Sequence, residues 1–552
     1  METVRIIVSG GPAKDYPKGT TVLEILKDWR SPDGLPALVA GVDGAVADLS
    51  HPLDRDAEVR PLTFAHTAGR RAYGLSLTVL LIRAAGELFP ERKLEVNHAF
   101  GQGYYCEFED EEGLLEKDLA LLRERMRALV REDEPFLRAE VTRLEAMTLL
   151  ERDGRGDALR LYKHLKRDTI EIRKFGPLTD VIVGPLVPTS GYLRVFDLSL
   201  YPPGFVLRFP DLANPKEVAP LVQRKRLFAI LHEQERWAKI LRARDAGDLS
   251  DFVARGEYNE LVMIAEALHE KKLAQIADAI TTREPRPRVL LIAGPSSSGK
   301  TTFAKRLSIQ LRVVGLRPVA ISVDDYFVDR ERTPRDALGN FDYEALRALD
   351  VETLNRHLLA LLAGREVELP RFDFHEGRRL AKGEPLRIGK DSLLMIEGIH
   401  ALNEALTPAI PAGMKYRIYV SALTQMNLDD HNHIATSDVR LLRRMVRDYL
   451  YRGYSGQETL SRWASVRRGE EANIFPHQEN ADVMFNSALV YELAVLKPQV
   501  ELLLRAVPRA AEEEPNAERL LSLLAYFPAA PADPVPSNSI LREFIGGSGF
   551  HY

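Results

Sequence analysis

The chain has 552 residues, 45% of them hydrophobic and 28% charged, an ordinary globular composition too long for one core, so about three or four domains are expected. A formal net charge of −5 excludes an indiscriminate nucleic-acid coat, though a local basic face is compatible with it. No apolar run approaches the length of a bilayer span, METVRIIVSGGPAKDYP lacks the long apolar core of a signal peptide, and the lone Cys106 gives neither an internal disulfide nor a cysteine-based metal site. The chain reads as cytoplasmic, with no membrane partner.

In chain order, residues 3 to 62 alternate the β-type runs VRIIV, PALVAGV and EVRPL with one helical stretch, TVLEILKDW, which predicts a small β-grasp (ubiquitin-like) domain over 1–62. Apolar residues recur at helical spacing from about 70 to 90 and from 114 to 150. Short strands separated by GP, PTSG and YPPG follow from 160 to 210, so 63–215 is expected to be an α+β domain. Residues 216 to 282 carry helical periodicity throughout, in LFAILHEQERWAKIL and NELVMIAEALHEKKLAQIADAI. They predict a helical connector over 216–285 that EPRPR at 284–288 punctuates. An α/β domain with a parallel sheet and helices on both faces is expected over 286–508. RAAEEEPNAE and FPAAPADPVPSN then predict a helix, a linker and a docking tail over 509–552.

Residues 289 to 302, VLLIAGPSSSGKTT, are a β-type run that breaks into G-x-x-x-x-G-K-T and opens a helical FAKRLSIQLRVV. A phosphate chain needs backbone N–H groups unobstructed by side chains, a lysine for the outer phosphates and a hydroxyl for Mg²⁺. Gly294, Ser296, Ser297, Ser298, Gly299, Lys300, Thr301 and Thr302 meet those needs in order, with the helix N-terminus on the phosphates. Two further apolar runs end in acidic residues: PVAISV at Asp324 and Asp325, and SLLMI at Glu397. Ligands of an open parallel sheet bind beyond the carboxyl ends of its strands, so the three terminations are expected in one crevice. Lys300, Thr301, Asp324 and Glu397 could then supply the parts of phosphoryl transfer, with Mg²⁺ held at Thr301 and Glu397. Asp324 or Asp325 could instead cap the following turn, and Glu397 could be an ion-pair partner. Arg440, Arg443, Arg444 and Arg447 share a helix face that is either solvated or brought over the phosphates. Asp430, His431 and His433 in DDHNH read as loop polarity, since no fourth ligand lies at usable spacing.

The P-loop strand with VDDYF, NFDYEAL, PRFDFHEGRR, MIEGIHAL, DVRLLRRMVRD and NADVMFNSALV, over about 286 to 500, resembles the uridine kinase and phosphoribulokinase family of P-loop kinases. The resemblance implies ATP and Mg²⁺ as cofactors. It implies Asp324 as base on a sugar 5′-hydroxyl, with Lys300 and Arg443 as the other catalytic residues, Asp342 as ribose ligand, Glu397 in the Mg²⁺ shell, and Arg440 and Arg443 as lid arginines on the phosphates. Phe372, Phe374 and His375 are the expected substrate contacts, but the position of the uridine kinases' base-reading His holds Gly377, and His375 is displaced by two. The activity implied is phosphorylation of a nucleoside, uridine or cytidine, by ATP. The alternatives are a kinase of another small hydroxyl acceptor and a nucleotide-gated RNA-binding regulator, and homo-oligomerisation is compatible with any of the three.

The N-terminal half resembles the front of threonyl-tRNA synthetase: DLSHPLDRDAEV in a TGS-type domain, then LFPERKLEVNHAFGQGYYCEFE and GPLVPTSGYLRVF in the second additional domain, which edits mischarged tRNA. The resemblance implies tRNA or RNA contact through this half. Counting from Phe89 and Pro90, the family's four metal-type ligands fall on Leu75, Val79, Ile182 and Leu186, all aliphatic, so a scaffold or recognition module without zinc or editing is expected.

Overall fold

The computed structural model describes residues 2–551 apart from 102, 111, 112, 213, 336–338, 340, 374, 375, 390, 425 and 510. At the N-terminus, strands Lys14–Pro17, Thr3–Val8, Ala57–Leu62, Val39–Val42 and Ala45–Ala47 form a mixed sheet in that spatial order, Thr3–Val8 running parallel to Ala57–Leu62. Thr3–Val8 buries Val4 and Ile6 and exposes Thr3, Arg5 and Ile7, the period-2 alternation of a one-sided strand. TVLEILKDW yields only the short helix Val22–Leu26, opened by a capping box between Thr21 and Glu24.

The helix Thr67–Leu88 follows, with Leu77, Leu80, Leu81 and Ala84 fully buried, as expected of a helix apolar on all sides. It packs with the helix Glu116–Glu132 and a four-stranded antiparallel sheet of Asp197–Tyr201, Gly204–Arg208, Gly103–Phe108 and Leu94–Ala99. The helical reading of 114 to 150 needs correction at Leu137–Thr142, which is a strand paired antiparallel with Thr169–Phe175. Its side chains are mostly exposed, so it carries no apolar alternation to announce it. The stretch 160 to 210 likewise opens on the end of a helix, Gly156–His164, before its strands begin.

The expected connector is three helices, Lys225–Leu241, Ala246–Ala254 and Tyr258–Thr282. The last is no separate linker. Its Leu273, Ile276 and Ile280 share a core with Phe303, Leu307 and Leu311 of the helix Lys300–Val313, and Glu266 and Glu270 hold Arg306 at 3.2 and 2.8 Å.

The second half is built on five parallel strands in the order Arg317–Ser322, Ser392–Glu397, Val289–Ala293, Lys415–Ser421 and Val483–Asn486. Val289–Ala293 lies at the centre and is buried at every residue, the signature of a strand covered on both faces. After the helix Glu514–Leu524 the chain does not run free: Phe527, Val535, Ile540, Leu541 and Phe544 return to the same core. Among the described residues no helix is long and apolar enough to cross a membrane.

The loop carrying DDHNH joins the two halves. His431 Nδ1 lies 2.5 Å from Asp180, which Arg155 also grips at 2.5 Å, and Asn432 accepts from the Val183 N–H at 2.8 Å. His431 and Asn432 are buried, so the polarity of this loop serves an interdomain network. Its partners lie some 250 residues apart in sequence.

Candidate active site

The register of the parallel sheet sets the site. Glu397 pairs beside Ile292 on one side and Ser322 on the other, so the loop after Ala293, Glu397 and the Asp324–Asp325 turn emerge at one edge. Gly294 is obligatory here, because a Cβ on it would meet the Val420 carbonyl oxygen at 1.9 Å. Ser297 takes φ +57° and Gly299 φ +80°, a pair of left-handed residues that curl the loop around its own N–H groups before the helix begins at Lys300. Ser297 Oγ and Ser298 Oγ are buried with no protein partner, polar atoms that suit a loop built to take an anion.

Lys300 Nζ donates back to the Pro295 carbonyl at 3.2 Å, and Thr301 Oγ1 donates to Glu397 Oε2 at 3.3 Å. The Glu397 carboxyl is pushed up to about 7 by desolvation, with Asp324 and Glu543 adding to the rise and Lys300 and Thr301 opposing it. Asp324 reaches solvent, yet the protein around it withdraws enough hydration to raise its carboxyl; Lys300 pulls the other way and Asp325 adds to the rise. Asp325 instead accepts the Phe372 N–H at 3.3 Å. Thr301, Glu397, Lys300 and Asp324 are thus gathered around one crevice, and their hydroxyl and carboxylate oxygens are the donor type that suits Mg²⁺.

The remaining sequence candidates divide. Asp342 lies in a turn, its Oδ1 accepting the Glu344 N–H at 3.1 Å. The Phe372 ring lies tilted against Phe327, centroids 5.8 Å apart, and Phe374 and His375 lie outside the described residues. Gly377 has φ +70°, and a Cβ there would fall 2.6 Å from the Arg330 guanidinium, so no larger side chain fits in place of the missing histidine without displacing Arg330.

The two expected lid arginines are not held over the loop as a solvent-facing lid. Arg440 is 1% exposed and makes a bidentate pair with Glu470 at 2.5 and 2.6 Å, its Nη1 also donating to the Ser296 carbonyl at 3.2 Å. Arg443 is fully buried against Glu492, donates to the Ser487 carbonyl at 2.8 Å, and lies 5.0 Å from the Phe544 ring centre. Arg443, expected on the phosphates, has its guanidinium engaged by the buried carboxylate of Glu492. Arg444, which shares their helix, reaches Ser296 Oγ at 2.8 Å.

Three carboxylates of the site escaped the sequence reading. Glu470 accepts the Ser296 N–H at 2.9 Å. Glu344 feels Glu470, Arg444, Lys300 and Asp324 and is pushed up to about 7, by desolvation first and then by Glu470. Glu543, from the C-terminal segment, accepts from both the Thr302 N–H at 3.2 Å and the Thr302 hydroxyl at 2.6 Å. Glu344 lies in NFDYEAL but was not singled out, Glu470 and Glu543 belong to no quoted motif, and the three lie 42 to 241 residues from the loop.

In the N-terminal half, Val79, Ile182 and Leu186 are buried in one core with Leu75 packed against it, and no group of three or more metal-type side chains occurs among the described residues.

Comparison with known proteins divides the chain in the same way. Its first half is similar to threonine–tRNA ligases: 33% identical over 196 residues to that of Desulforamulus reducens and 30% identical to that of Acetivibrio thermocellus. The match covers 35% of this chain and 31% of each ligase, so the chain spans under a third of the length of these relatives. Among solved structures, one titled a possible uridine kinase from Bacillus stearothermophilus is 23% identical with a TM-score of 0.27, covering 39% of this chain and 98% of that one. The D-glycerate 3-kinase of Cryptococcus neoformans is 14% identical with a TM-score of 0.26, covering 37% and 88%. Residues 289–494 match the model of the phosphoribulokinase/uridine kinase family.

Proposed function

We propose that the chain is an ATP- and Mg²⁺-dependent kinase that phosphorylates the 5′-hydroxyl of a nucleoside, uridine or cytidine in the first instance. The observation that carries this reading is the convergence of Lys300, Thr301, Asp324 and Glu397 at the ends of three adjacent parallel strands. Phosphoryl transfer requires positioning and charge stabilisation more than covalent help. N–H groups of the loop and Lys300 would bind the phosphate chain, and Thr301 and Glu397 would hold Mg²⁺, whose charge would offset that of the phosphates. Asp324 takes the proton as the acceptor oxygen bonds to the γ-phosphorus and ADP leaves. Its raised carboxyl makes it a stronger base than an ordinary aspartate. Asp342 and Phe372 bound the acceptor side.

A kinase of another small hydroxyl acceptor is the second reading, favoured by Gly377, which stands where the uridine kinases carry a base-reading histidine. The N-terminal half is read as a β-grasp domain over 1–62 and an α+β recognition module over 63–215 that binds no zinc and hydrolyses no aminoacyl ester, tRNA or RNA being its candidate partner. ADP release measured across a panel of nucleosides and sugar acids, with product mass spectrometry, tests the reading; no acceptor-stimulated ADP release, or release unaffected by Lys300→Ala, overturns it.

A further inference from the structure

The far end of the chain packs against the P-loop where the loop passes into its helix. Ser297 and Ser298 are 3% and 0% exposed, although a loop of this kind works by presenting its N–H groups to a ligand. Where the loop passes into its helix, at Gly299 and Thr302, the neighbour is the segment 536–551. Ile540 Cγ2 lies 2.4 Å from where a Cβ on Gly299 would stand, so this side chain fills the space that glycine leaves beside the loop. Glu543 Oε2 takes both donors of Thr302, the N–H and the hydroxyl, in the first turn of the helix Lys300–Val313. Two donors at a helix N-terminus form an anion site, and here the anion is a carboxylate supplied by the chain.

The segment is built to hold this position. Arg542 donates to the carbonyls of Ala532 and Val535 at 2.8 and 2.6 Å, Ile540, Leu541 and Phe544 are fully buried, and Lys305 Nζ donates to the His551 carbonyl at 2.5 Å. Its root is tied to the arginine helix: Arg519 pairs with Asp438, in the first turn of Thr436–Arg452, at 2.6 Å.

We propose that the segment 536–551 is a plug displaced by nucleotide, with the Glu543 carboxylate holding the place of a phosphate group at Thr302. The proposal rests on the reading of the loop as an ATP site. The Thr302 donors cannot serve a carboxylate and a phosphate together, and the two anions side by side would repel in a site from which water is largely excluded. ATP therefore enters only as Glu543 withdraws, and the apparent affinity for ATP is reduced by the fraction of chains in which the plug is docked.

The test is equilibrium binding of a fluorescent ATP analogue with Mg²⁺ to the full chain and to Glu543→Ala and Glu543→Gln, together with hydrogen exchange of the unsubstituted chain with and without ATP. A plug docked about nine-tenths of the time predicts about tenfold tighter binding to Glu543→Ala, with Glu543→Gln between the two. It also predicts faster exchange across 536–551 when ATP is added to the unsubstituted chain. ATP binding that is unchanged or weaker in Glu543→Ala, with 536–551 exchanging no faster in ATP, overturns the plug and leaves the kinase reading standing. Failure of all three chains to bind ATP overturns both.

Discussion

Replacing Arg440 by Met separates two accounts of the arginine helix. The Arg440 and Glu470 side chains are each 1% exposed and joined by two hydrogen bonds of 2.5 and 2.6 Å. Removing the guanidinium strands a buried carboxylate, a change that typically costs about 3–5 kcal/mol. Glu470 keeps two partners, the Ser296 N–H at 2.9 Å and Arg467 at 3.2 Å, so the lower end of the range, about 3 kcal/mol, applies. For a domain of this size each kcal/mol moves the midpoint by about 2–4 °C, so the parallel-sheet domain should melt about 6–12 °C earlier in differential scanning calorimetry. The double variant Arg440→Met, Glu470→Leu should recover part of the loss, since it removes the stranded charge. It should not recover all of it, because the Ser296 N–H then lacks its acceptor, at about 1–3 kcal/mol. An Arg440→Met protein that melts within about 2 °C of the parent while its turnover collapses would refute the reasoning and restore Arg440 to a free lid.

Asp324→Asn keeps size and hydrogen bonding but cannot accept a proton, so kcat should fall about a hundredfold or more with ATP binding nearly unchanged. A large loss of Mg²⁺·ATP binding with a modest loss of kcat would instead put Asp324 in the metal shell and pass the base role to Asp325. Burial alone would raise the Asp438 carboxyl, but the guanidiniums of Arg519 and Arg71 outweigh it and hold it at about 2. Its contribution is therefore complete above the unfolded-state value near 4 and is lost as pH falls towards 2, amounting to about 2 kcal/mol. Acid unfolding followed by circular dichroism should show that limb flattened in Asp438→Asn, and an unaltered limb would contradict the assignment. The module at 63–215 should contain no stoichiometric zinc by elemental analysis and release no amino acid from seryl-tRNA, because Val79, Ile182 and Leu186 are buried aliphatics with no lone pair to offer; bound zinc or ester turnover would refute this.

The parts of the fold and site that were legible in sequence are those where a local constraint leaves one residue type. Gly294 cannot carry a Cβ against the Val420 carbonyl, and Gly299 needs a positive φ, so the loop announces itself in a few letters. Continuous apolar runs such as VLLIA and SLLMI mark strands covered on both faces. The strand Leu137–Thr142 went unseen because an exposed strand has no reason to alternate. The partners of the site were hidden for a different reason. Glu470, Glu492 and Glu543 are ordinary acidic residues in helical stretches, and only tertiary folding brings them to Ser296, Arg443 and Thr302. The periodicity of Arg440, Arg443 and Arg444 was visible, but whether that face met solvent, phosphate or carboxylate depended on chain far away. His431 shows the same limit, its burial being set by Asp180 and Arg155 in the other half of the molecule.

The most direct measurement is product mass spectrometry of the full chain incubated with ATP, Mg²⁺ and a panel of nucleosides and other small hydroxyl acceptors, run in parallel with Lys300→Ala. The account predicts one acceptor class gaining a single phosphoryl group in step with ADP release, with uridine or cytidine first among the nucleosides, and loss of the product in Lys300→Ala. ATP bound tightly with no phosphorylated acceptor, or product formed equally well without the Lys300 ammonium, would contradict it.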